Sequence, residues 1–130
     1  MLPQTKNSIK WIKALKSNKF KKGANILFNK DENSYCCLGV ACKVNNFRKT
    51  ITGGFLEFKE KNLLGLRSTY GLFSPKIIYN SDSLASLNDG RYKNSKNFKS
   101  IVRHILANID YLFIPEVASE LKTYFNDKKY

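Results

Sequence analysis

Apolar residues recur at helical spacing near both ends of the chain. Residues 5–17 place four apolar side chains on one arc at 3.6 residues per turn: Ile9, Trp11, Ile12 and Leu15. Residues 97–109 follow the i, i+3, i+4, i+7 pattern with Phe98, Ile101, Val102, Ile105 and Ile109. Both patterns predict amphipathic helices, and Trp11 is expected in the core. A last helix should begin near Pro115, because proline suits the first helical turn.

The middle of the chain holds short apolar runs that are typical of β-strands. Such runs lie at residues 26–28, 55–58 and 77–79. The longer apolar stretch at residues 35–44 leaves two interpretations open. Its start could be a strand and its end could open a buried helix, because periodicity does not separate the two in so short a run.

Two further segments, residues 61–66 and 83–87, are expected to form short helical segments. The second should end at Asn88-Asp89-Gly90, a combination that favours a turn. These elements predict an α+β fold, a single small domain over residues 1–126, with helices at both ends and a small central sheet of short strands. Residues 127–130 are predicted to be a frayed tail.

The chain is strongly basic, with 23 Lys and Arg against 10 Asp and Glu and a net charge of +13. Self-repulsion of this size opposes compaction, which favours a partner of opposite charge. A nucleotide, a nucleic acid, an acidic protein or an anionic membrane surface would each qualify, whereas a solvated lysine surface is the alternative. The charge is uneven, because residues 1–30 hold lysines but no acid, as does the stretch from Arg91 to Arg103.

The hydropathy pattern argues against a membrane-spanning protein, and the cysteines argue against both a disulfide framework and a zinc site. No apolar run approaches the roughly 20 residues of a transmembrane helix, so no membrane partner is predicted. Cys36, Cys37 and Cys42 are odd in number and two are adjacent, which makes a poor disulfide framework and favours a reducing compartment. They also lack the paired spacing of a zinc site, so we predict no metal and no cofactor, and place them in the core.

Catalytic chemistry has few candidate residues. The sequence contains no glycine-rich phosphate loop and no dinucleotide fingerprint, and His104 is the single histidine. We therefore predict a binding protein rather than an enzyme. A weak nuclease or phosphodiesterase that depends on Asp89 or His104 ranks last among the alternatives.

Basic and aromatic side chains occur together in two places. One follows the first predicted helix and the other follows the predicted turn at Asn88. Lysine attracts phosphate, arginine can bind it through two hydrogen bonds, and aromatic rings stack on bases. We therefore expect phosphates on Lys21, Lys22 and Arg91, and a base on Tyr92 or Phe20. Asn88 or Asp89 would read the edge of that base.

Several short motifs occur in an order that resembles a widespread set of small bacteriophage and prophage proteins. The most specific is the block Tyr35-Cys36-Cys37-Leu38-Gly39-Val40-Ala41-Cys42, and the resemblance spans roughly residues 9–105. The other motifs are Trp11, Ala14-Leu15-x-Ser17, Phe20, Gly23, Leu64-Gly65-Leu66, Leu87-Asn88-Asp89, Phe98 and Ile101. The chain departs from this pattern in its abundance of Lys and Asn and in its additional C-terminal helix.

The resemblance implies a bacteriophage context and the cytoplasm of an infected bacterial host. Our leading hypothesis is a phage counter-defence protein that sequesters an anionic nucleotide immune signal, such as a cyclic oligonucleotide, without cleaving it. Such a protein is expected to be a homo-oligomer with its site near a subunit boundary. The alternatives are a nucleic-acid-binding phage protein and an inhibitor that docks on an acidic face of a host defence enzyme.

Overall fold

The computed structural model describes residues 1–47, 53, 56–72 and 83–128. Within these ranges the helices are α1 (Pro3–Lys16), α2 (Cys37–Val44), α3 (Phe58–Leu64), α4 (Leu84–Ser86), α5 (Lys99–Ala107), α6 (Ile109–Leu112) and α7 (Pro115–Lys128). The strands are β1 (Phe28–Asn29) and β2 (Ser34–Tyr35), which pair in an antiparallel sheet. A π-helical turn, Leu87–Arg91, continues from α4. The predicted α+β class, with helices at both ends and a small sheet, is confirmed.

Helix α1 is the element against which the other long helices pack. Helices α2, α3, α5 and α7 all contact it. Its predicted apolar arc faces the interior, and Trp11 is fully buried, as expected. The indole N–H of Trp11 donates to the carbonyl oxygen of Cys37 at 2.8 Å, which satisfies the one polar group of this large side chain.

Polar side chains on α1 also join it to its neighbours. The Ser8 hydroxyl donates to the carbonyl oxygen of Leu64 at 2.6 Å, at the end of α3. The Thr5 hydroxyl donates to Glu120 Oε1 in α7, also at 2.6 Å. That hydrogen bond, with one from the Leu2 main chain, lowers the pKa of Glu120 because both stabilise the carboxylate. The N-terminal helix is thereby bound to the C-terminal one.

The apolar stretch at residues 35–44 contains both elements that its sequence left open. Strand β2 ends at Tyr35, Cys36 is the N-cap, and α2 begins at Cys37. The Cys36 sulfur accepts a hydrogen bond from the main-chain N–H of Gly39 at 3.4 Å, as an N-cap side chain does. Residues 37–42 are all buried, which is why the run is apolar without a helical period.

The C-terminal helices agree with their patterns, with changed boundaries. Residues 97–109 were predicted as one helix, but α5 covers Lys99–Ala107 and α6 follows at Ile109. The Asn108 side chain donates to the carbonyl oxygen of His104 at 2.8 Å, at the junction of the two helices. Helix α7 begins at Pro115 as predicted and continues to Lys128, into the predicted tail; residues 129–130 lie outside the described residues.

The three strands predicted in the middle of the chain have different outcomes. Residues 26–28 were predicted as a strand, and the observed strand is Phe28–Asn29. The prediction for residues 55–58 is wrong at its end, because Phe58 begins α3, with Glu57 at the N-cap and its N–H bonded to Glu60 Oε1 at 3.3 Å. Phe55 and the strand predicted at residues 77–79 lie outside the described residues.

Helix α3 also corrects the helical segment predicted at residues 61–66. It begins three residues earlier, at Phe58, and ends at Leu64. Gly65 stops it with φ of 72°, a left-handed conformation that glycine adopts without strain. None of the helices in the described part of the chain combines the length and the apolar character that crossing a membrane requires.

We predict that Gly39→Ala strongly destabilises the fold. A Cβ at residue 39 would overlap the carbonyl oxygen of Leu27, which is main chain and cannot rotate away. Overpacking of this kind typically costs about 1–3 kcal/mol. Urea denaturation followed by circular dichroism should show the free energy of unfolding reduced by that amount or more.

The matched control is Gly90→Ala, because a Cβ at residue 90 would meet no atom within 4 Å. Its free energy of unfolding should lie within about 0.5 kcal/mol of the unsubstituted protein, as for most surface changes. Equal effects of the two substitutions would contradict the packing of α2 on Leu27.

Candidate functional site

The residues predicted to bind a ligand lie in three places. Lys22, Asn88 and Asp89 belong to a polar junction, which also includes Gly23, Asn25 and Cys37. Arg91 and Tyr92 adjoin a basic surface around α5. Phe20 and Lys21 lie beside the small sheet.

Asn88 is the centre of the polar junction and is 0% exposed. Its Oδ1 accepts a hydrogen bond from the N–H of Cys37 at 3.1 Å. Its Nδ2 donates to the carbonyl oxygen of Gly23 at 2.8 Å and to Asp89 Oδ1 at 2.9 Å. Both amide hydrogens are thus used within the protein. Asn88 was expected to read the edge of a base, and in this structure it is instead a buried structural residue.

The turn that was predicted at residues 88–90 is a π-helical turn instead. The N–H of Tyr92 bonds to the carbonyl oxygen of Leu87 at 2.8 Å, which is an i→i−5 hydrogen bond. Asp89 Oδ1 also accepts from the main-chain N–H of Asn25 at 2.7 Å, and Asn25 has a left-handed φ of 75°. Asp89 therefore anchors the loop after α1, and its carboxylate is already hydrogen-bonded.

Lys22 belongs to the same junction. Its Nζ donates to the carbonyl oxygen of Asn88 at 3.1 Å. Partial burial lowers the pKa of Lys22, and the nearby carboxylate of Asp89 partly offsets this. Lys22 thus stabilises the loop and remains only half accessible to a ligand.

Phe20 and Lys21 lie beside the sheet. The ring of Phe20 packs edge-on against Tyr35, with ring centres 5.5 Å apart, and Phe28 packs on Tyr35 at 4.7 Å. Lys21 is exposed, and its Nζ lies 3.4 Å from the carbonyl oxygen of Glu32. Phe20 therefore has an aromatic partner within the protein already, and Lys21 keeps access to solvent.

The cysteines are core residues, as predicted. All three are buried and none forms a disulfide. Burial raises the pKa of Cys36 to about 12 and raises that of Cys37 well above its ordinary value. The two adjacent thiols are consequently neutral at physiological pH and are poor nucleophiles. In the described part of the chain, no three His, Cys, Asp or Glu side chains are grouped so that they could hold a metal ion.

A cleft of about 330 Å³ lies between the end of α1 and α5. Its apolar floor is formed by Leu15, Val102 and Leu106. Around this floor are three cations and two amides: Lys16, Lys99, Arg103, Asn18 and Asn97. No carboxylate is among the described residues that line it. We refer to these eight residues as the basic cleft.

The sequence explains how the basic cleft forms. Lys99 and Arg103 are four residues apart on α5, as are Val102 and Leu106, so both pairs lie along the same side of the helix. Asn18 has a left-handed φ of 59° just beyond α1, which turns the chain at the rim of the cleft. Asn97 Oδ1 accepts from the N–H of Lys99 at 3.0 Å, at the positive end of the α5 dipole.

A second concave surface adjoins the first, because Arg103 lines both. This tyrosine hollow has a volume of about 410 Å³ and is lined by Tyr92, Ser100, Arg103, His104 and Ala107. The Tyr92 hydroxyl and His104 Nε2 are hydrogen-bonded at 3.0 Å. The Arg91 guanidinium carbon lies 5.4 Å from the centre of the Tyr92 ring. The structure therefore brings Arg91 and Tyr92 together with Arg103.

His104 lies close to two arginines. Arg103 lines the same hollow, and Arg91 lies beside Tyr92, the hydrogen-bonding partner of His104. Burial lowers the pKa of His104, and Arg91 and Arg103 lower it further because they repel an added positive charge. With these two cations and no carboxylate among the described residues that line it, the tyrosine hollow is suited to an anionic group.

Sequence reasoning assigned no ligand role to Lys16, Lys99 or Arg103. The acid-free stretch between Arg91 and Arg103 indicated the region, and the spacing of Lys99 and Arg103 indicated a common side of α5. What the sequence did not show is that α1 and α5 pack together, which adds Lys16 and the apolar floor to the same cleft.

The chain matches no protein-family model, no curated protein and no solved structure. The resemblance to bacteriophage proteins therefore stays a prediction.

We predict that Asn88→Ala destabilises the protein by at least about 2 kcal/mol. The substitution leaves the N–H of Cys37 and the carbonyl of Gly23 without their partner, and a buried unpaired group costs about 1–3 kcal/mol. Urea denaturation measures the change, with the exposed Asn94→Ala as the control. Similar denaturation midpoints for Asn88→Ala and Asn94→Ala would show that the hydrogen bonds of the polar junction contribute little to stability.

We also predict that His104 makes stability depend on pH. Its pKa is lower in the folded than in the unfolded chain, so protonation costs more in the folded state. Its contribution is complete above the unfolded value of about 6.5 and declines as the pH falls through the folded value. Melting temperatures at pH 7.5 and 5.0 should differ more for the unsubstituted protein than for His104→Gln. An identical difference in the two proteins would exclude this linkage.

Proposed function

We propose that this protein binds an anionic nucleotide in the basic cleft and sequesters it without cleaving it. The observation that carries the proposal is the position of Lys16, Lys99 and Arg103 around an apolar floor between α1 and α5. The cations alone would bind any anion. Because the floor of the cleft is apolar, the ligand should also have a flat, weakly polar part that can lie on it.

A nucleotide meets both requirements. Its base would lie on Leu15, Val102 and Leu106, and its phosphate would bind the surrounding cations. Arginine is well suited to this role, since its planar guanidinium donates two parallel hydrogen bonds to phosphate oxygens. The cleft volume of about 330 Å³ lies at the lower end of the roughly 300–1,000 Å³ of ligand sites, which fits one nucleotide unit.

The side chains that line the cleft suit binding rather than proton transfer. General acid–base catalysis uses groups whose pKa lies near the working pH, most often histidine or a carboxylate. The polar side chains of the cleft are two lysines, an arginine and two asparagines. Combined with the resemblance to phage proteins, this chemistry supports a protein that removes a nucleotide immune signal of the host from solution. The expected homo-oligomer stays a prediction.

Binding to single-stranded nucleic acid is the second candidate. It is supported by the continuity of the cations, which extend from the basic cleft through Arg103 to Arg91 beside Tyr92. A strand could track such a surface and stack a base on the tyrosine. Its affinity should fall steeply with salt, because each neutralised phosphate releases counterions. A ligand seated in the cleft should depend less on salt.

We expect isothermal titration calorimetry to detect binding of 5′-mononucleotides, with the nucleosides as uncharged references. The double variant Lys99→Ala, Arg103→Ala should weaken binding at least about tenfold, which corresponds to roughly 1.4 kcal/mol. The matched control Lys6→Ala, Lys10→Ala removes the same charge from exposed positions on α1 and should have little effect.

Two results would contradict the proposal. One is the absence of nucleotide binding by the folded, unsubstituted protein. The other is equal weakening by the two double variants, which would show that net charge and not the cleft determines affinity. Binding of a 20-nucleotide single strand alone, lost at high salt, would favour the second candidate.

A further inference from the structure

The arrangement of Arg103 suggests which class of nucleotide the protein binds. On α5, residues 99, 102, 103 and 106 line the basic cleft, and residues 100, 103, 104 and 107 line the tyrosine hollow. With 3.6 residues per turn, these sets occupy adjacent sides of one helix. Arg103 lies on the ridge between them and is the residue that both sets share.

The orientation of Arg103 is supported by its own helix. Its Nη2 donates to the Ser100 hydroxyl at 3.2 Å, one turn earlier. A guanidinium has five N–H donors, so a hydrogen bond to Ser100 leaves others that can meet anionic oxygens. One arginine can therefore serve anions on both sides of the ridge.

The tyrosine hollow has its own means of binding an anion. The Arg91 guanidinium carbon lies 5.4 Å from the centre of the Tyr92 ring, and Tyr92 and Arg103 both line the hollow, so one guanidinium lines it and a second lies beside it. The Tyr92 hydroxyl, paired with His104 at 3.0 Å, supplies a further polar group at its edge. Like the basic cleft, the hollow has no carboxylate among the described residues that line it.

We propose that the ligand is a dinucleotide, linear or cyclic, with one phosphate in the basic cleft, the second in the tyrosine hollow, and Arg103 between them. This inference rests on the proposed function and specifies its ligand. A mononucleotide would occupy the cleft and leave Arg91 and the tyrosine hollow unused. Two anionic groups separated by one nucleoside unit fit two basic concave surfaces that share one arginine.

The test compares ligands of increasing size by isothermal titration calorimetry. The probes are a 5′-mononucleotide, the linear dinucleotide with a 5′-phosphate, the corresponding cyclic dinucleotide, and an eight-nucleotide strand, in adenine and guanine series. At least one dinucleotide should bind about tenfold or more tightly than its mononucleotide. Comparing the affinities of the linear and the cyclic dinucleotide identifies which form the protein prefers.

Variants locate the second phosphate. Arg91→Ala with His104→Gln should bring dinucleotide affinity down to that of the mononucleotide and leave mononucleotide affinity unchanged. Lys93→Ala, an exposed cation two residues from Arg91, is the control and should preserve the dinucleotide advantage. Circular dichroism and melting temperatures establish that each variant is folded.

The outcomes separate this inference from the proposed function. Equal affinity for mono- and dinucleotides, with both weakened by Lys99→Ala and Arg103→Ala, would overturn the dinucleotide inference and keep the cleft. A dinucleotide advantage that survives Arg91→Ala with His104→Gln would also overturn it. An affinity that continues to rise with the eight-nucleotide strand would replace it with nucleic-acid binding. Failure of every nucleotide to bind would overturn both.

Discussion

The hydrogen bonds of the Asn88 side chain hold together segments that are distant in the sequence. One amide group bonds to the start of α2, to the loop that follows α1, and to the neighbouring Asp89. Because all of these groups lie in or beside the interior, the amide compensates main-chain groups that would otherwise be buried without a partner. The π-helical turn that contains Asn88 is held against the core in this way. Arg91 and Tyr92, which end that turn, are consequently presented next to α5.

The basic cleft depends indirectly on the packing of the interior, because the helices that carry its side chains pack on the core. Helix α1 carries Leu15 and Lys16 at the cleft, and α1 itself is held in place by its contacts with α2, α3 and α7. Helix α5 contributes Val102 and Leu106 of the floor and the two remaining cations; it contacts α1, and its Ile101 and Ile105 are buried in the core. The cations of the basic cleft are carried by regular helices, so the packing of these helices fixes the main-chain positions of Lys16, Lys99 and Arg103.

The sequence predicted most of the helices, because a long helix on a core shows its period directly. Residues 5–17 and 97–109 are of this kind, and Pro115 marked the last helix correctly. The strand predicted at residues 55–58 is wrong at its end, because the alternation of apolar residues gave no weight to the capping residues Glu57 and Glu60, which begin a helix at Phe58. Short segments are decided by such local hydrogen bonds and by tertiary contacts, which apolar patterns do not encode.

The candidate site was predicted only in part, for a comparable reason. Proximity in sequence correctly linked Arg91 with Tyr92, and it also grouped Asn88 and Asp89 with them. Side chains on opposite sides of one turn can face the interior and the solvent, and here Asn88 is buried and Arg91 is exposed. The residues that line the hollow with Tyr92, among them Arg103 and His104, come from a helix whose position follows from the packing of the whole domain. No local motif could have identified that combination.

Gly39, within the block from Tyr35 to Cys42, lies directly against the main chain of Leu27. Since the main chain of Leu27 occupies the space where a side chain would begin, only glycine is compatible with that point of the block. Its neighbours are neutral, enclosed thiols and aliphatic groups with no access to solutes. The residues of the block therefore determine how the core packs, and they do not form a binding surface. The surface residues on the outer sides of α1 and α5 are therefore free to change without altering this part of the core.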